Sequence, residues 1–188
     1  MRALWLLLSL AVISAPPCAL ASNQASAIKE TSIKESAIKS VTSQYPWYKW
    51  QTVGQATLTW GLWDIYNSEL KTPTGKYSRL DTDLALIISY LRDIDKDDLL
   101  QATNEQWLHL GYSKQQITPW LTTLSAIWPN VKKGDRLIFV QRNGIGQFYQ
   151  GTQPLGKPLS KSLTRSFIAI WLSPKTDYPE LRKQLINQ

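Results

Sequence analysis

From Trp47 to Thr72 the chain reads WYKWQTVGQATLTWGLWDIYNSELKT, an alternation rich in aromatic and β-branched residues that suits a pleated sheet rather than a helix. Two or three strand segments are predicted here, with Gly54 and Gly61 marking a turn, bulge or bend. One face of the stretch carries Leu58, Trp60, Leu62, Tyr66 and Leu70. TPTGKYS supplies turn chemistry, and LALIISYLRDI, residues 84–94, follows as the next strand. Its even positions put Leu84, Leu86 and Ile88 on one face, and Tyr90 and Arg92 continue that face. A charge on a hydrocarbon face is costly unless a partner or ligand satisfies it. Arg92 is therefore the first candidate functional residue.

The period then lengthens. Asp95 or Asp97 can cap a helix running to about Leu110, with acids in its first turn where the helix dipole favours them. GYSKQQITP breaks it; Thr118 as N-cap and Pro119 at the first helical position open another, with Leu121, Leu124, Ile127 and Trp128 as its apolar stripe. Leu137 to Val140 is strand-like, and Asn143-Gly144 fits a primed hairpin turn. Ser160 precedes a helix with Leu163, Phe167, Ile170 and Trp171 in line, and YPELRKQLIN makes a last one. Strands, two helices, strands, two helices: this segregation predicts an α+β fold, an antiparallel sheet with helices packed on one face.

The beginning of the chain reads differently. Arg2, an apolar run from Ala3 to Ile13 and small residues at Ala19 and Ala21 predict a signal peptide over residues 1–21, cut after Ala21. Ala15, Pro16 and Pro17 do not make a lipobox before Cys18, and no segment is long enough to span a bilayer. Cleavage leaves no cysteine, which suits a bacterial periplasm better than a disulfide-stapled secreted domain. Residues 22–44 contain a five-residue repeat, SAIKE-TSIKE-SAIKS, whose isoleucines cannot share one narrow helical stripe. A flexible tether is expected there, and a domain with one sizeable core over 45–188.

Charge and motifs exclude several functions. Losing Arg2 takes the 21 basic residues to 20 against 14 acidic ones, a net charge of +6. The basic residues are scattered, so no nucleic-acid partner is predicted; the excess serves solubility or weak attraction to an anionic membrane surface. With one histidine, His109, placed late in a helix, and no cysteine left once Cys18 is removed by cleavage, no His/Cys metal site is expected. There is no G-x-S-x-G, P-loop or G-x-G-x-x-G, and no cofactor is predicted. DIDKDD lacks the glycine and glutamate of a calcium loop and reads as a helix start.

VGQATLTWGLWDIYNSELKT, ALIISYLRDIDKDDL, IWPNVKKGDRLIFV, GQFYQGTQPLG and FIAIWLSPKT follow, in order, the pattern of exported bacterial chalcone isomerase-like proteins. The chain resembles that family over about residues 50–188. The resemblance implies an open-faced β-sandwich with a ligand cleft between sheet and helices. It does not imply the ring-closing activity. Where true chalcone isomerases carry an arginine and a threonine, this chain offers Thr57 and Tyr66. A relative in the superfamily, the plastid fatty-acid-binding proteins, holds a carboxylate with arginine and tyrosine, and Tyr90 and Arg92 supply the same groups on one sheet face.

Two readings of Arg92 stand at this point: the polar end of an amphiphile cleft, where a guanidinium fork suits a carboxylate, or an ion pair with Asp95 or Asp97. The expected function is non-catalytic binding of a small amphipathic molecule, fatty acid-like or phenolic, with Tyr90, Arg92, Tyr66, Trp60, Ile88 and Leu86 as the ligand-binding residues. The alternatives are an isomerase or lyase acting on an unsaturated phenolic or carbonyl compound, with Tyr90 or Tyr66 as the acid–base group, and a protein-interaction module.

Overall fold

The computed structural model describes residues 46–188; the expected leader, Cys18 and the five-residue repeat lie outside them. A 3₁₀ turn (Pro46–Lys49) leads into strands β1 (Gln51–Trp60), β2 (Trp63–Thr72) and β3 (Leu84–Tyr90). Helices α1 (Lys96–His109) and α2 (Lys114–Ile127) intervene before β4 (Arg136–Arg142), β5 (Ile145–Gln150) and the short β6 (Gln153–Leu155). Helices α3 (Lys161–Leu172) and α4 (Pro179–Ile186) close the chain. The six strands form one antiparallel sheet in sequence order, β1 to β6.

The alternation sorts the two faces. Leu70, Leu86, Phe139 and Phe148 lie side by side across β2 to β5 and are fully buried beneath Trp107, Leu124, Leu163, Phe167 and Leu172 of the helices. The opposite face holds a smaller group, Ala85, Ile87, Ile138 and Val140, covered by Trp47. This is the expected α+β architecture, an open antiparallel sheet with four helices packed on one face. Indole Nε1 of Trp107 donates to the Ser166 carbonyl at 2.9 Å, fastening α1 to α3.

Turn chemistry behaves as the sequence predicts at Asn143 (φ 52°) and Gly144 (φ 76°), which take the two positive-φ positions of the β4–β5 turn. Gly54 has a further reason to be glycine. It sits at a register shift in β1, and a Cβ there would collide with the carbonyl oxygens of Gln184 and Leu185, so α4 lies directly on the strand.

Four expectations are corrected. Pro46 to Lys49 is a 3₁₀ turn and not strand. The second helix begins after Ser113, not Thr118, because Ser113 and Gln116 form a reciprocal capping box; Pro119 sits inside the helix. The strand expected over 84–94 ends at Tyr90, since the chain bends at Leu91 and Arg92. Trp60 and Leu62 do not join Tyr66 and Leu70 on the buried face: both are exposed at the β1–β2 turn. Among the described residues no helix is long and apolar enough to cross a membrane.

Candidate functional site

Between the helix-covered face of the sheet and α1 lies a cleft of about 630 Å³. Its floor is a cross-strand row, Leu58 paired with Tyr66 and Tyr66 with Tyr90, continued by Ile88 paired with Leu137. Phe167, Ile170 and Trp171 of α3 and Trp128 at the end of α2 close the inner end, and Leu99 and Ala102 of α1 form the roof. Ile65 is an extra residue in β2 between Tyr66, opposite Leu58, and Asp64, opposite Thr59. Such a bulge re-aims neighbouring side chains, and Ile65 and Tyr66 both line the cleft. The solvent-facing rim is polar: Arg92, Asp93, Asp98, Gln101 and Glu105 are exposed there, together with Trp60.

The polar atoms inside are few. Tyr66 hydroxyl accepts a hydrogen bond from Trp171 Nε1 at 2.9 Å and keeps its own proton to donate. Tyr90 is 4% exposed, meets Tyr66 edge-on with ring centroids 6.2 Å apart, and its hydroxyl has no hydrogen-bond partner among the described residues. Burial pushes both phenols well above the ordinary tyrosine value; at Tyr66 the Trp171 bond offsets part of that rise. At neutral pH both are therefore hydrogen-bond donors and not bases. Two buried atoms of cleft-lining residues lack partners among the described residues, Trp128 Nε1 and Gln106 Oε1.

Arg92 lies one step beyond the strand, in a bend held from both sides. Leu91 N donates to Ile65 O at 2.9 Å, and Ile94 and Val131 exchange backbone bonds of 2.9 and 3.0 Å. The guanidinium stacks on Trp63, 4.8 Å from the ring centroid. The ion pair with Asp95 or Asp97 does not form among the described residues; neighbouring Asp93 instead accepts from Lys133 N.

Of the six residues singled out from sequence, the fold brings Trp60, Tyr66, Ile88, Tyr90 and Arg92 to the cleft. Leu86 is fully buried under the helices and does not reach it. Thr57 points away from the cleft: its hydroxyl donates to Asn67 Oδ1 in a hollow of about 430 Å³ with Gln55, Glu69, Ile87 and Ser89 around it. That hollow is polar and belongs to the open side of the sheet. His109 takes a helix-end role, 3.9 Å from Asp177 and 3.1 Å from the Lys175 carbonyl. Sequence reasoning missed Trp128, Gln106 and the α3 trio as cleft residues, because an apolar stripe on a helix reads the same whether it meets a neighbour or a cavity.

No protein-family model matches the sequence. The chain is 25% identical over 146 residues to an uncharacterised protein of Haemophilus influenzae, covering 78% of this chain and 72% of the other. Its structure is similar to that of an Arabidopsis thaliana fatty-acid binding protein, with a TM-score of 0.57 and 11% identity over 72% of this chain and 86% of the other. At that identity the likeness shows the fold alone, the open sheet with helices on one face that the resemblance to chalcone isomerase-like proteins implies.

Proposed function

We propose that this is an exported, periplasmic binding protein that holds a small amphipathic molecule, a long-chain carboxylate above all, without converting it. One observation carries the reading: a hydrocarbon-lined cleft of about 630 Å³ lined by Tyr90, whose hydroxyl has no hydrogen-bond partner among the described residues, and by Arg92 at its exposed rim. The volume falls within the roughly 300–1,000 Å³ of small-molecule pockets. A hydrogen bond from the Tyr90 hydroxyl to an anionic head group would be worth about 1.5–3 kcal/mol. In this reading the carboxylate meets Tyr90, Tyr66 and Arg92, and the tail runs over Ile88 and Leu137 toward Phe167 and Ile170. The name of the Arabidopsis neighbour, a fatty-acid binding protein, agrees with this ligand class.

The isomerase alternative needs a group that takes or moves a proton near neutral pH. Both cleft phenols are held in the neutral form by burial, which favours donation over abstraction. Native mass spectrometry of protein isolated without denaturant tests the proposal, with the added mass of a long-chain carboxylate as the expected result. Robust turnover of 2′-hydroxychalcone, lost in Tyr90→Phe, would replace binding by catalysis. Failure to bind any long-chain carboxylate, with no turnover either, would remove both.

A further inference from the structure

The most exposed large apolar residues among those described are contiguous: Trp60 at 78%, Leu62 at 98% and Trp63 at 61%. Trp60 and Trp63 are the last pair of the β1–β2 ladder, and Gly61 and Leu62 make the loop between them. Gly61, with φ 60°, takes the first loop position, the positive-φ site of a II′-type turn, and a Cβ there would have nothing within 4 Å. The tip therefore projects two indoles and a leucine into solvent from the end of the β1–β2 hairpin. We infer that this tip docks the protein on the surface of a phospholipid bilayer, holding the open rim of the cleft against the lipid.

Three features favour a bilayer over another protein. Aromatic side chains bury about 150–250 Å² each, so two indoles and a smaller leucine stay below about 750 Å², short of the roughly 800 Å² per partner of a stable protein interface. Tryptophan suits the boundary between head groups and acyl chains, where its ring is apolar and its N–H stays wet. The tip is also continuous with the cleft, since Trp60 lines it and Arg92, stacked on Trp63, stands at its rim. Local charge sets the mode of docking. Asp64 follows Trp63, and Asp93, Asp98 and Glu105 share the rim with Arg92, so acidic groups outnumber basic ones there. Attachment runs through apolar insertion and not through attraction to anionic lipid.

That the docked protein exchanges its ligand with the bilayer rests on the proposed function; the docking itself does not. The test uses protein isolated after export, vesicles of phosphatidylcholine alone, and the same lipid with bromines on its acyl chains. Wild type is expected to co-sediment with the vesicles and to lose tryptophan fluorescence to the brominated lipid. Leu62→Asp should lower the partition coefficient at least about tenfold, as burying one leucine side chain implies. Its affinity for oleate in vesicle-free solution should not change, because Leu62 touches neither core nor cleft. No partition by wild type, or partition untouched by Leu62→Asp, overturns the inference. So does binding that requires anionic lipid and vanishes in salt, or concentration-dependent self-association that Leu62→Asp abolishes. Vesicle binding without oleate binding would leave the docking standing and remove the ligand reading.

Discussion

Removing one oxygen atom separates a ligand-binding tyrosine from a structural one. In Tyr90→Phe the ring stays against Tyr66 and the core, and the lost hydroxyl has no partner among the described residues. Folding therefore loses no hydrogen bond to the described residues, so stability should hold. Binding behaves oppositely. A hydrogen bond to a charged group is worth about 1.5–3 kcal/mol, and at 1.4 kcal/mol per decade its loss weakens carboxylate affinity roughly 10- to 150-fold. Calorimetric titration with oleate measures the affinity, and denaturant unfolding of the same protein measures the stability. An affinity within about twofold of wild type would refute the placement of the head group at Tyr90. A stability loss above about 1 kcal/mol would show that the hydroxyl has a structural role that the cleft geometry does not assign to it.

Tyr66→Phe should behave differently, because it strips the acceptor from Trp171 Nε1; a buried unpaired N–H costs about 1–3 kcal/mol of stability, readable in denaturant unfolding. Arg92→Ala should weaken oleate binding by less than about tenfold and lose that effect in high salt, since an exposed charge pair contributes about 0–1 kcal/mol; its melting temperature should match wild type. Stability should fall in alkali: above pH of about 10 the unfolded chain releases tyrosine protons that Tyr66 and Tyr90 retain when folded, lowering stability by about 1.4 kcal/mol per pH unit for each. Denaturant titrations across that range should show the slope shrink in Tyr90→Phe. Gly54→Ala should cost at least about 2 kcal/mol in the same assay, because its methyl group would push α4 off β1.

The buried ladder of Leu70, Leu86, Phe139 and Phe148 is legible as alternation in the sequence, and so is the α3 stripe of Leu163, Phe167, Ile170 and Trp171. The Ser113 capping box was legible too, as S-x-x-Q, but Pro119 gave a competing start five residues on. The three-residue strand β6, which includes Pro154, carries almost no periodic signal. At Arg92 the even-numbered pattern runs past the end of the strand: the alternation continues into a bend, which only the bonds from Leu91 to Ile65 and between Ile94 and Val131 reveal. Trp60 and Leu62 carry the same even parity as Tyr66, but the Gly61 turn and the bulge at Ile65 break the register that would have buried them.

Local chemistry by itself determined the order of the main strands and helices, the α+β class, the Asn143-Gly144 turn and the cap at Ser160, because propensity, alternation and capping act over a few residues. It also singled out Tyr90 and Arg92 as polar groups continuing an apolar face. Tertiary structure decided which apolar residues meet each other and which meet a cavity: Leu86 went into the core while Ile88, two residues on, became the cleft floor. It decided that the Tyr66 hydroxyl is paired with Trp171, 105 residues away, and that the Tyr90 hydroxyl has no hydrogen-bond partner among the described residues. Those outcomes depend on where α1 and α3 come to rest over the sheet, a balance of packing among residues far apart in the chain that no window of sequence contains.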